Sequence, residues 1–184
     1  PEDHLVTSLP YLPEGALTTP HYAGHVAASE DDDKELFYWM FAPDVPNDFE
    51  GEETEIPLVV WLNGGPGCSS MDGLWIENGP LRLKRTTNNH TEDDGWTIRI
   101  NSHSWHRAPA WLLYVDQPVG TGLSFTKKKK YCRNDREVNE DFYLFLTNFL
   151  LLHADTMLEP VSKNNRRRTK RPVYLTGESH AGHY

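Results

Sequence analysis

An α/β architecture, a mixed and mostly parallel sheet flanked by helices, is predicted by three observations in these 184 residues. Three short, continuous apolar runs, IPLVVWL (56–62), APAWLLYVDQP (108–118) and PVYLTG (172–177), read as strands buried on both faces. Crossover segments separate them, which argues for parallel neighbours. One of those segments, 136–158, carries the strongest helical pattern in the chain.

The elements follow in order. PHYAGHVAAS (20–29) and KELFYWMFAP (34–43) are rich in strand formers, and the acidic residues 30–33 between them suit a turn, so a β-hairpin is expected. DVPNDFEGEETE (44–55) is a solvated loop by its polarity. The strand at 56–62 runs directly into Asn63-Gly64-Gly65-Pro66-Gly67, and SSMDGLWIENGPL (69–81) reads as part helix and part turn. Residues 82–95 read as a polar loop, and GWTIRINSHSW (95–105) as strand-forming. VGTGLSF (119–125) is a glycine-rich connection after the second buried run. In the helical segment, Val138, Phe142, Phe145, Leu146, Phe149 and Leu152 share one face. Lys127–Lys130, and Lys163 with Arg166, Arg167, Arg168, Lys170 and Arg171, are read as solvated loops at the ends of that helix rather than as an anion site or a nuclear signal.

Composition narrows the function. Six Trp, eight Tyr and seven Phe supply a real core, which disfavours disorder. A formal net charge of −9 argues against nucleic acid as a partner. No apolar run approaches the ~18 residues of a membrane span. Asn89-His90-Thr91 matches a glycosylation acceptor and fits secretion. The two cysteines, Cys68 and Cys132, leave the redox compartment open.

GESHAGHY (177–184) raises the chemistry. A strand turning sharply toward a helix lifts a serine hydroxyl above the sheet edge, and the turn needs small neighbours. Gly177 and Ala181 supply them around Ser179. Asn63-Gly64-Gly65-Pro66-Gly67 follows an earlier strand, where glycines let backbone N–H groups approach an oxyanion. Gly65 and His180, the residue after Ser179, fit the two donor places.

WLNGGPGCSSMDGLWIENGP, LLYVDQPVGTGLSF and YLTGESHAGHY resemble the serine carboxypeptidase family of the α/β-hydrolase fold. The resemblance runs from the LPYLPEG and HYAGHV region to Tyr184. It implies that residues 1–184 are the N-terminal part of a single domain, comprising a hairpin, an oxyanion loop and a nucleophile turn. It further implies Ser179 as nucleophile and the N–H groups of Gly65 and His180 as the oxyanion hole. Asn63, Glu77 and Glu178, with main-chain help near Trp61 and Gly64, would hold the free C-terminal carboxylate of a peptide or protein substrate. Two carboxyl groups placed together do not easily both ionise, so binding is expected to favour acidic pH. The family usually carries Tyr where this chain has His180; the backbone donor is unaffected, and the side chain bears on substrate preference.

The fold's chain order puts the catalytic Asp and His after the serine, so both are expected beyond Tyr184, and none of His103, His153, His180 and His183 serves as the base. Cys68 resembles a family cysteine whose partner also lies downstream, with a Cys68–Cys132 bridge as the alternative. No cofactor or metal is implied, and the oligomeric state is left open. The implied compartment is the secretory pathway, ending in a vacuole, a lysosome or outside the cell. Two other readings stand beside peptide trimming. One is acyl transfer or another hydrolysis on the same scaffold; the other is an inactive fragment that aggregates when made alone.

Overall fold

The computed structural model describes residues 1–45, 49–86, 95–162 and 165–184, with Thr86 described by its backbone alone. The Asn89 acceptor and Lys163 lie outside the described residues. β1 (His21–Ala27) and β2 (Lys34–Phe41) form the expected antiparallel hairpin, and β3 (Leu58–Leu62) is the first buried run. β4 (Leu81–Thr86) and β5 (Gly95–Ile100) make a separate two-stranded sheet. Residues 82–86 are therefore strand rather than loop. Leu81 and Leu83 alternate with Arg82 and Lys84 and pair with Ile100 and Ile98, a two-residue period that the charge content masks. β6 (Trp111–Val115) is the second buried run, followed by the short β7 (Phe125–Thr126).

α1 (Asp135–Leu152) begins where the Asn134 side chain accepts a hydrogen bond from the Glu137 N–H at 3.0 Å, with Asp135 and Glu137 in the first turn, favourable to the helix dipole. It stops short of the expected 158. His153 leaves helical geometry at φ −103°, ψ 32°, buried, with Nε2 2.8 Å from the Tyr38 hydroxyl oxygen. A four-residue α2 (Ala154–Met157) follows, then β8 (Val173–Gly177). No helix among the described residues is long and apolar enough to cross a membrane.

The main sheet has the order β1-β2-β6-β3-β8, with β7 beside β2. β1–β2 and β2–β6 are antiparallel, and β6–β3 and β3–β8 are parallel. Successive side chains point to opposite faces, and both faces of β3 and β6 are covered, which is why these two strands read as unbroken apolar runs. β8, expected to be buried in the same way, instead exposes Tyr174 and Leu175, because it pairs with β3 along one side only among the described residues. Leu36, Tyr38 and Met40 of β2 join Leu58, Val60, Leu113 and the α1 residues Phe142, Phe145 and Phe149 in one core layer. Phe37, Trp39 and Phe41 face the other way, against Trp61, Leu74, Leu81, Ile98 and Tyr114. A Lys34–Asp141 ion pair at 2.7 Å, mostly buried, ties β2 to α1.

The basic tracts differ from expectation in part. Lys127 pairs with Glu35 at 2.7 Å, and Lys128 and Lys130 pair with Asp31 at 3.2 and 3.0 Å, so the first tract neutralises the acidic hairpin. Arg171 is buried rather than solvated. It donates to the carbonyls of Glu53, Ile56 and Thr156 and lies 5.5 Å from the Trp111 ring. Cys68 and Cys132 are not joined; the Cys132 thiol donates to Asp141 at 3.0 Å.

Candidate active site

Two parallel neighbours deliver the site. β3 and β8 pair in register up to Leu62↔Gly177, so Asn63 and Glu178 emerge side by side from the same end of the sheet. Ser179 follows with φ +53°, the left-handed region that a non-glycine residue occupies at a cost, and it is exposed. The turn leaves no room at Gly177, where a Cβ would stand 2.6 Å from the Leu62 carbonyl oxygen and 2.7 Å from the Ala181 Cβ. The small residues expected at both places are thus required by contact.

The glycine loop presses on this turn. A Cβ at Gly64 would stand 2.7 Å from the Glu178 carbonyl oxygen, 2.8 Å from the His180 backbone nitrogen and 3.0 Å from the Ser179 Cβ. Gly65 comes next in the loop at φ +111°. The Gly64 backbone and the His180 backbone nitrogen, from two separate loops, thus meet beside Ser179.

Asn63 is the hub of the carboxyl cluster. It is buried, whereas Glu77 and Glu178 are exposed. Its Nδ2 group donates to Glu77 Oε1 at 2.9 Å and to Glu178 Oε1 at 3.1 Å. Its Oδ1 accepts from the Trp61 indole N–H at 2.8 Å and from the Gly73 N–H at 3.1 Å. Those acceptor contacts fix which end of the amide faces the two acids. Trp61 thus contributes its side chain, where main-chain help was expected. Glu77 itself ends a widened helical turn, Gly73–Glu77, closed by a bond from the Asn78 N–H to the Gly73 carbonyl at 2.9 Å. Arg82 donates to the Glu77 carbonyl.

The structure brings Trp61, Asn63, Gly64, Glu77, Glu178, Ser179 and His180 together, with Gly65 adjoining them. His180 and His183 stack on each other with centroids 5.0 Å apart, and His180 Nε2 lies 3.8 Å from Asp135. His153 is buried against Tyr38 and Phe149, and His103 lies in the exposed turn after β5. Among the described residues no cluster of three or more His, Cys, Asp or Glu could hold a metal ion.

Ser70 and Asp116 were missed by sequence reasoning. The Asn63 N–H donates to the Ser70 hydroxyl at 3.1 Å, and Asp116 is buried beside Ser69 and Ser70. One signal could have found Asp116. It is the first polar residue beyond a buried parallel strand, as Asn63 is beyond β3.

Comparison with known proteins adds the following. The profile described as serine carboxypeptidase matches residues 10–184. A pheromone-processing carboxypeptidase KEX1 of Phytophthora infestans is 42% identical over 182 residues, covering 99% of this chain and 27% of that protein. Serine carboxypeptidase S10 family member 2 of Dictyostelium discoideum is 40% identical, covering 100% of this chain and 29% of that protein. The crystal structure of the prohormone-processing carboxypeptidase KEX1 from Saccharomyces cerevisiae superposes with a TM-score of 0.72 at 31% identity, over 98% of this chain and 36% of that one. The chain thus spans about a third or less of the relatives it matches.

Proposed function

Because the chain belongs to the serine carboxypeptidase family, we propose that the whole protein releases C-terminal residues from peptides through an acyl-enzyme at Ser179. One observation carries the reading. A single buried amide, Asn63, holds two exposed acids, Glu77 and Glu178, beside a serine in a strained turn.

The Ser179 oxygen attacks the scissile carbonyl carbon while its proton passes to a histidine base from outside these 184 residues. The carbonyl oxygen takes the electron pair and accepts hydrogen bonds from the N–H groups of Gly65 and His180. Collapse breaks the C–N bond, and the base returns the proton to the departing amine. Water then repeats the sequence on the ester, freeing the shortened peptide and Ser179.

Asn63, Glu77 and Glu178, ordered by Trp61 and Gly64, receive the terminal carboxylate. A peptide's terminal carboxylate is repelled by like charge, so binding should weaken as pH rises. Residence in the secretory pathway, in a vacuole, lysosome or acidic exterior, fits that dependence. Recovery of the active protein in cytosol would contradict it.

The test is hydrolysis of a blocked dipeptide by the full-length protein at mildly acid pH. Ser179→Ala should abolish turnover. Activity surviving that substitution sinks the assignment.

A further inference from the structure

The loop from Asn63 to Asp72 bears both the carboxylate hub and the Gly64-Gly65 backbone, yet it has little regular structure to hold it. Its internal bonds are few: the Cys68 N–H to the Gly64 carbonyl, the Asp72 N–H to the Ser69 carbonyl, the Asn63 N–H to the Ser70 hydroxyl and the Met71 N–H to the Ser69 hydroxyl, each at 3.1 Å. Besides the partners of Asn63, its external anchor is Asp116, just beyond the end of β6 and fully buried. Its Oδ1 accepts from the Ser69 hydroxyl at 2.6 Å and from the Ser70 N–H at 2.9 Å, and its Oδ2 accepts from the Leu123 N–H at 2.9 Å. The loop around Gly122 closes tightly on the carboxylate, for a Cβ there would stand 2.0 Å from Oδ2. One buried acid thus clamps the loops that follow two adjacent parallel strands.

The geometry points to Asp116 as a positioning residue for the proposed reaction, setting Asn63 and the glycine backbone through Ser70. Three donors converge on it from two loops, and an ionised carboxyl is the side chain that accepts from all of them. Burial pushes its carboxyl above the usual carboxylate range, and the Ser69 hydroxyl and the backbone N–H groups offset part of that rise. Removing one acceptor would leave a buried donor unpaired and free the loop. This inference rests on the reading of the site given above.

The test uses the full-length protein with Asp116→Asn, which keeps the shape but turns an acceptor into a donor. Two readouts apply: amide hydrogen exchange across residues 64–73, and the ratio of kcat/KM for a free-acid peptide to that for its amidated counterpart. Active-site titration with a serine-directed phosphonylating reagent corrects for any unfolded fraction. Exchange across 64–73 should quicken at least about tenfold while β3, β6 and β8 stay protected, and the ratio should fall about tenfold per titrated site. Ser70→Ala, which leaves Asp116 intact, should move both readouts the same way by less, and it decides the matter if Asp116→Asn does not fold. Unchanged exchange and an unchanged ratio, or a loss matched by the fall in titratable serine, would overturn the inference. A wild-type protein that turns over no peptide would overturn the functional reading instead, and the exchange result would still decide the role of Asp116.

Discussion

Each polar atom of the Asn63 side chain serves two partners, Nδ2 the acids Glu77 and Glu178, Oδ1 the donors Trp61 and Gly73. An amide has one end that donates and one that accepts, and no other side chain of this size offers both. Asn63→Asp keeps the volume and the bonds to Trp61 and Gly73 but sets a third carboxyl against two. We expect KM for a free-acid peptide to rise about 100-fold, roughly 3 kcal/mol. The amidated peptide, which brings no carboxylate, should change by less than about threefold. Steady-state kinetics on the two substrates checks this. Equal losses on both would mean that Asn63 maintains the loop and does not read the substrate terminus. In the proposed mechanism His180 would act at the same scale, through its backbone N–H.

Between elements, the junction of β2 with the end of α1 is a buried polar contact. His4 Nδ1 lies 2.9 Å and His153 Nε2 2.8 Å from the same Tyr38 hydroxyl oxygen, with the rings of Tyr22 and Phe149 around His153. Burial pushes the His153 imidazole down from 6.5 to about 4. The unfolded chain takes up this proton near 6.5 and the folded chain only near 4. Stability is therefore whole above the upper value, declines through the window as pH falls, and levels out below it. Each pH unit inside the window removes at most about 1.4 kcal/mol. Denaturant titrations across that range should show the decline, and His153→Gln should flatten it. A decline equally steep in the variant would assign it to other groups. The same contact ends α1 at Leu152, a boundary set by a partner 115 residues away that helical periodicity alone could not report.

At the scale of the whole chain, the sheet is unevenly protected. β8 has β3 as its partner among the described residues, and Tyr174 and Leu175 on it are each 55% exposed. Such an edge invites pairing with other chains. Produced alone, the 184-residue chain should self-associate at micromolar concentration, as sedimentation would show, and Leu175→Lys should reduce it. A monomer that unfolds in one sharp transition would contradict this. What was legible in advance was local: three apolar runs, the glycine loop, the small residues around Ser179, and Glu77 at its spacing from Asn63. β4 was hidden because Arg82, Lys84 and Arg85 outweigh two leucines, and Asp116 because its partners Ser69 and Ser70 lie 47 and 46 residues away. The Leu62↔Gly177 rung carries a further consequence. Backbone pairing alone acts as a ruler, with the two chemical groups marked one step past its last division. Side-chain changes along β3 or β8 can weaken the ruler without altering its scale. One inserted residue in either strand would slide the marks apart by about 3.3 Å, more than any hydrogen bond between them can span.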